Sequence, residues 1–391
     1  MSDTASLPPW VLVCGGFHRL GGMDRANLAL AEVLLEQGRE VYLVGHDIDP
    51  TLQANPNVRA IVVPKRVGVL LGESALRREG MRIAADVTRR WPEARVVVNG
   101  GNCPWPDINW VHCVHAAWPR FDEQAPLWFR AKSRINKQKA RADERYALRR
   151  AKLVIANSER TRRDLIAIGI PEEKIQVIYL GCEPDWQPAT LDQRAEARRS
   201  FDLPQGAVVV SFVGALGYDR NKGFDTLLAA WKEARLPNAI LVAAGAGRGF
   251  GNWHREVERL GLQDTVRLLG FTDRVGELLA ASDLFVSPVR YEAFGLNVLE
   301  ALCRGVPAIV SKAAGVAELY PKELSRWLLQ DPDEARPLAQ MLAGLLPEVH
   351  AYHAAFAAAG AELRKQTMHD TAAAIVAAAE HHRRLNAAQY E

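Results

Sequence analysis

Short apolar runs, each closed by a glycine or polar turn and followed by an amphipathic stretch, constrain the fold of this chain more than any other feature. WVLVCGG (Trp10–Gly16) reads as a buried strand. After it, GGMDRANLALAEVLLEQG places Leu28, Ala31, Val33, Leu34 and Leu35 at helical spacing and stops at Gly38. EVYLVGH, RAIVVP, RVVVNG, INWVHCVH, AKLVIANS and IQVIYLG read as further strands, the last closing near Gly181. The rhythm restarts with AVVVSFVGAL and continues through NAILVAAG, VRLLGF, DLFVSP and PAIVS, again with helical segments between. Strands alternating with helices in this way form α/β folds with parallel sheets.

At 391 residues the chain exceeds the ~250–300 at which a single core stops growing, so two domains are expected. The expected division is a Rossmann-like domain over 1–183, a linker over 184–203 containing Pro184 and Pro188, and a second Rossmann-like domain over 204–368. The Ala-rich stretch 369–391 is expected to be a helix that braces back toward the first domain. Two doubly wound sheets facing each other would place a ligand cleft at the carboxyl ends of their strands.

Hydrophobic residues at 48% and charged residues at 24% suit a soluble globular protein, and a net charge of +3 is too small to argue for nucleic acid. The five cysteines are scattered with no C-x-x-C, which reads as reduced thiols in a cytosolic protein. The start, MSDTASLPPW, has neither a basic n-region nor an apolar h-region, so no secretory signal is expected. No run approaches 18 apolar residues, so a spanning helix is not expected either.

The segment 130–152, RAKSRINKQKARADERYALRRAK, is strongly basic, with only Asp143 and Glu144 opposing. Two readings stand side by side: a solvated helix face, or a helix touching anionic lipid or an acidic acceptor. On the second reading a cytoplasmic protein would rest peripherally on the inner face of a membrane.

In RYEAFGLNVLE (Arg290–Glu300) two carboxylates, Glu292 and Glu300, stand eight positions apart. On one helix they would lie ~12 Å apart along the axis. A retaining glycosidase needs its carboxyl groups ~5–5.5 Å apart and an inverting one ~6.5–9.5 Å, so a simple hydrolytic pair is disfavoured. A strand ending at Pro288 and a helix starting near Phe294–Gly295 fit better, with the helix stopped before Pro307. Ala293, Phe294, Gly295 and Leu296 would then offer backbone N–H groups at a helix N-terminus, a setting suited to phosphate. Glu300, about a turn inside, could reach a polar group such as a ribose diol, and Glu292 the other end of the same ligand.

RYEAFGLNVLEALCRGVPAIVS resembles the E-x7-E signature of glycosyltransferase family 4, retaining enzymes with the GT-B fold. The resemblance extends over most of the chain. GGMDRANLALAEVLLEQGREVYLVGH resembles the family's glycine pair and first helix, and AKLVIANSERTRRDLIAIGIPEEKIQVIYLGCE the segment that ends its first domain. FVGALGYDRNKGFDTLLAAW, VRLLGFTDRVGELLAASDLFVSP and GVAEL resemble successive blocks of its nucleotide domain.

The resemblance implies a first domain for the acceptor and a second for the nucleotide sugar. Glu300 would bond the ribose, Glu292 would sit by the donor sugar, and the amides of Phe294, Gly295, Leu296 and Asn297 would hold the diphosphate or sugar hydroxyls. Lys222, in the NKG turn, corresponds to the diphosphate-binding lysine. Its cation would offset charge growing on the leaving phosphate without a metal. Ala215 stands where the family usually has an arginine, and Arg220 is the candidate to supply that guanidinium. Gly270 and Phe271 belong to the donor-binding blocks. Gly21 and Gly22 match the glycine pair beside the diphosphate, while Gly15 and Gly16 read as turn residues. His115 fits the family's histidine near the sugar better than His112 does. The neighbouring cysteines match no zinc spacing.

GAGRGFG (Gly245–Gly251) lacks G-x-G-x-x-G spacing. DID (Asp47–Asp49) resembles a D-x-D motif but reads as a loop. The expected function is transfer of a sugar from a nucleoside diphosphate, with uridine favoured by the resemblance and guanosine and adenosine open, to a glycan, lipid or small-molecule hydroxyl. The alternatives are another GT-B sugar-nucleotide enzyme (an epimerase or an inverting transferase) and a catalytically idle sugar-nucleotide-binding protein. No cofactor, metal or nucleic-acid partner is expected.

Overall fold

The computed structural model describes residues 7–65, 69–119 and 122–387. Its chain divides into two compact units. The first comprises Met1–Ala117, Ala131–Gly181 and Met368–Glu391, and the second Trp118–Arg130 and Cys182–Thr367.

The strands of the first unit are β1 (Trp10–Val13), β2 (Gly16–Phe17), β3 (Val41–Gly45), β4 (Asp47–Ile48), β5 (Val58–Val62), β6 (Arg95–Asn99), β7 (Ile108–Val111), β8 (Leu153–Ala156) and β9 (Ile175–Val177). Seven of them form one parallel sheet in the order β5-β3-β1-β6-β7-β8-β9, while β2 and β4 pair separately. Every residue of β1, β6, β7 and β8 is buried, which is why these runs show no polar alternation. The Gly22–Glu36 helix starts after Gly21, at φ 87°, and buries Leu28, Leu30, Val33 and Leu34. Past its end Gly38 turns the chain at φ 74°, a left-handed value that costs glycine nothing. The Met368–Ala387 helix packs on it. Arg39 pairs with Glu380 at 3.2 Å, and Thr371 Oγ1 accepts from the Gly181 amide at 2.9 Å.

The second unit holds β10 (Val208–Val213), β11 (Ala239–Ala244), β12 (Val266–Gly270), β13 (Leu284–Ser287), β14 (Ala308–Ser311) and β15 (Leu328–Leu329). These form a parallel sheet in the order β12-β11-β10-β13-β14-β15. Each main sheet reverses its winding beside its first strand, between β1 and β6 and between β10 and β13. Loops leaving the carboxyl ends at such a switch point diverge and leave room for a ligand.

Three expectations are corrected by the described contacts. The stretch expected as a linker, 184–203, is largely the Leu191–Ser200 helix, closed by a capping box between Thr190 and Gln193. It is bound into the second unit by buried Arg198, which meets Asp283 at 2.7 Å; the prolines flank a helix rather than mark a free connection. The DID stretch, expected as a loop, is β4, after which Asp49 caps a short helix by accepting from the Thr51 amide at 2.8 Å. Trp118–Arg130, expected within the first domain, groups with the second unit, where Trp118 stacks on Tyr291 and Phe129 lies against Tyr218.

Candidate functional site

In the second unit, the loops after β10 and β13 are joined by backbone and guanidinium contacts. The Arg290 amide donates to the Asn221 carbonyl at 2.8 Å, and Asn221 Nδ2 donates to the Tyr291 carbonyl at 2.8 Å. The Arg290 guanidinium grips Asp225 through two bonds of 2.8 and 3.0 Å, and its Nε reaches Asp333. Gly223 makes this approach possible: with φ 71°, a Cβ there would lie 1.9 Å from the Pro288 carbonyl oxygen. The result brings Lys222 and Glu292, 70 positions apart, into a direct Nζ–carboxylate ion pair.

Glu292 leads into the Leu296–Cys303 helix, whose N-cap, Gly295, has φ 111° and no capping side chain. A Cβ at Gly295 would come 3.1 Å from Val316 and 3.4 Å from Glu292 Cγ, so the turn is tight on both sides. The backbone N–H groups of Gly295, Leu296 and Asn297 have no acceptor among the described residues. Asn297 Nδ2 donates to the Val213 carbonyl at 2.8 Å, fastening the helix start to the end of β10. Phe294 is buried. Glu300, also buried, has Oε1 held by Arg304 Nε and a terminal guanidinium nitrogen, both at 3.1 Å.

Arg220 lies over the Trp253 ring at 5.2 Å and 3.6 Å from Asp225, while Ala215 is exposed. Gly270 ends β12 at φ 74°, and Phe271 beside it is 72% exposed. Gly245 is required for packing: at φ 146°, its Cβ would overlap the Gly214 carbonyl. Lys222, Glu292 and the Gly295–Asn297 amides are thus brought together, whereas Phe271 stands on a separate strand end.

In the first unit, the loop after β1 carries Gly15, Gly16, Gly21 and Gly22. A Cβ on Gly16 would lie 2.9 Å from both Asp24 and His18, and Asn27 Nδ2 donates to the Gly16 carbonyl at 3.1 Å. Burial raises the Asp24 carboxyl above the usual range, with His18 and Lys65 acting against that rise.

The two histidines near the end of β7 differ sharply. His112 is half-buried against Trp110, its Nε2 shut away from solvent, and desolvation pushes it down to about 3, so it stays neutral. His115 keeps 39% of its side chain exposed. Its amide donates to Glu144 at 2.9 Å, its Nδ1 lies 2.9 Å from Glu144 Oε1, and its carbonyl accepts from Arg141 Nε at 3.0 Å. Among the described residues, no three His, Cys, Asp or Glu side chains gather as a metal site.

Arg290, Asn221, Asp225 and Glu144 are structural supports that the sequence reading did not single out. For Arg290 a signal existed, since it opens the stretch that ends in Glu300. For the other three, partners lie 29 to 70 positions away and leave no local trace.

Residues 20–186 match the family model described as Glycosyltransferase Family 4, and residues 193–355 that of Glycosyl transferases group 1. A glycosyltransferase of Methanocaldococcus jannaschii is 32% identical over 179 residues, an alignment covering 44% of this chain and 45% of that protein. The chain therefore spans about half the length of that relative. The 2-deoxystreptamine N-acetyl-D-glucosaminyltransferase of Streptomyces fradiae is 26% identical over 336 residues, covering 77% of each chain. Among solved structures, Anabaena HepE in complex with UDP-glucose overlays with a TM-score of 0.68 at 19% identity, covering 94% of this chain and 99% of that one. The shared architecture is GT-B, with two Rossmann-like domains.

Gly223→Ala tests the loop junction. Left-handed backbone and the carbonyl overlap together should cost about 1–3 kcal/mol or more in urea unfolding, because such strain persists only where its surroundings enforce it. A wild-type unfolding midpoint would show that the loops do not need this contact.

Proposed function

Because the chain belongs to glycosyltransferase family 4, we propose that it is a metal-independent retaining transferase moving a sugar from a nucleoside diphosphate to an acceptor hydroxyl. The observation that carries this reading is the Lys222–Glu292 pair beside the unaccepted amides of Gly295, Leu296 and Asn297. These donors suit the diphosphate, since a helix N-terminus carries roughly half a positive charge. Glu300 is assigned the ribose diol, Glu292 the donor sugar, and Lys222 the leaving phosphate. Arg220 is assigned a share of the diphosphate in place of an arginine at Ala215. Phe294 shapes the turn, and Gly270 and Phe271 belong to the nucleotide side.

The first unit contributes Gly21 and Gly22 for close backbone approach and His115 for the sugar. In the reaction the bond between the anomeric carbon and the phosphate oxygen breaks. The acceptor oxygen bonds on the same face, and its proton passes to the departing phosphate oxygen. This route uses no protein base. A uridine diphosphate sugar is favoured, supported by the UDP-glucose complex of HepE, with a guanosine diphosphate sugar next. The acceptor is a glycan, lipid or small molecule. The exposed Ala215 favours a second reading, an idle sugar-nucleotide binder, which ligand binding without transfer or donor hydrolysis would support.

We also propose a peripheral contact with an anionic bilayer through the Leu127–Arg150 helix. Leu127, Trp128 and Ile135 are 77%, 54% and 59% exposed, and Lys132, Arg134, Arg145 and Arg149 are exposed on the same helix. Apolar side chains that enter the headgroup layer, joined to cations that meet anionic lipid, are the features of an interfacial helix.

Two experiments follow. A thermal-shift panel of nucleoside diphosphate sugars selects the donor. With that donor, Glu300→Ala should raise KM, and Lys222→Ala should lower kcat by ~10²–10³, the effect of losing one charge-stabilising donor; full turnover by Lys222→Ala would sink its assignment. In vesicle sedimentation, the protein should bind phosphatidylglycerol over phosphatidylcholine and lose that preference in Lys132→Glu/Arg134→Glu. Equal binding to both lipids rules the bilayer contact out.

A further inference from the structure

Glu144 lies in the most basic stretch of the chain, yet its side chain is only 1% exposed and turned inward. Burying a carboxylate is costly unless its oxygens are met by donors. Among the described residues the donors come from one: the His115 amide, 2.9 Å from Oε2 and 3.2 Å from Oε1, and the His115 ring, with Nδ1 2.9 Å from Oε1. Arg141, one turn earlier on the same helix, donates from Nε to the His115 carbonyl at 3.0 Å. Backbone donor, backbone acceptor and ring nitrogen of His115 are therefore all held by residues three apart on one helix face.

The helix reaches this position because of Gly101. A Cβ there would stand 2.9 Å from the Glu144 amide nitrogen and 3.2 Å from its Cα. The glycine thus sets how closely the carboxylate approaches the end of β7.

An ionised carboxylate only accepts hydrogen bonds, so a ring nitrogen facing it must carry the proton. We propose that Glu144 is a positioning residue that fixes His115 as the Nδ1-protonated imidazole and so presents a bare Nε2 lone pair to a sugar hydroxyl. Nε2 accepts that hydroxyl's hydrogen bond, and the ring is held against rotation. The catalytic meaning rests on the proposed sugar contact of His115; the tautomer does not. The device follows a general pattern in which a buried partner decides which imidazole nitrogen is free.

The test uses the full-length protein labelled with ¹⁵N-histidine, at pH 8, where a free imidazole is neutral. Long-range ¹H–¹⁵N spectra should show His115 protonated at Nδ1 and bare at Nε2. In Glu144→Gln, the amide keeps its carbonyl toward the His115 N–H and turns its NH₂ toward the ring, so the proton should move to Nε2. Turnover of the donor selected by thermal shift should fall about 10–100-fold in kcat with KM little changed, the usual scale for losing an orienting partner. Gly101→Ala keeps the carboxylate but pushes the helix back, and should give the same kcat loss with mixed tautomers. An Nε2-protonated ring in the wild type, or an unchanged tautomer in Glu144→Gln, overturns the proposal. If His115→Ala turns over at the wild-type rate, the sugar contact of His115 fails while the tautomer result still decides the role of Glu144.

Discussion

The Arg290 guanidinium organises the second unit's loops. Its side chain is 8% exposed, and burial alone would disfavour its charge. Asp225 and Asp333 outweigh that cost, and their bonds hold the group above the ordinary arginine range. It also donates to the Arg220 carbonyl and to Thr226 Oγ1. An arginine can do this because its donors are planar and forked, reaching several acceptors at once. Two loops far apart in sequence become one body, and the meeting of Lys222 with Glu292 is a consequence. Buried ion pairs are weak evidence for stability, so the value of this one lies in registering the loops.

What was readable in the sequence was local. Buried strands announce themselves as apolar runs, helix ends as Gly38 and the approach to Pro307, and the helix bearing Glu300 as a turn at Gly295. The strand order adds what no local pattern contains: the loops holding Gly21, Lys222 and Glu292 leave their sheets at winding reversals. The capping box of Thr190 and Gln193 is a local pattern as well, one that the flanking prolines mask as a linker. Arg290 pairs with Asp225, 65 positions away, and spacing carries no record of such a contact. Glu144 was hidden by its neighbours: one acid among many cations reads as a minor surface feature, whereas three-dimensional packing turns it inward.

The histidines show how position within an element separates roles that composition leaves equal. His112 follows directly on β7, meets Trp110, and has Nε2 buried without a hydrogen-bond partner among the described residues. A ring so desolvated does not take a proton near neutral pH. His115 comes three residues later, past the strand, where the ring reaches solvent while its Nδ1 edge is held. Only the second combines exposure with a fixed donor–acceptor edge, which recognition of a hydroxyl requires.

Charge balance sharpens what remains. The Ala215 side chain supplies no cation, Arg220 is shared between Trp253 and Asp225, and Lys222 faces Glu292. Arg220 and Lys222 therefore each already have a local partner. Beside Glu292, the Gly295, Leu296 and Asn297 amides have no acceptor among the described residues, and their positive potential cannot be relaxed by rotating a side chain. On the proposed reading, an arriving diphosphate is first registered by these fixed dipoles. Lys222 then exchanges part of its contact with Glu292 for phosphate oxygen, which frees a carboxylate oxygen for the sugar. A site built this way spends little on reorganising its backbone, because Gly295 has already set the turn.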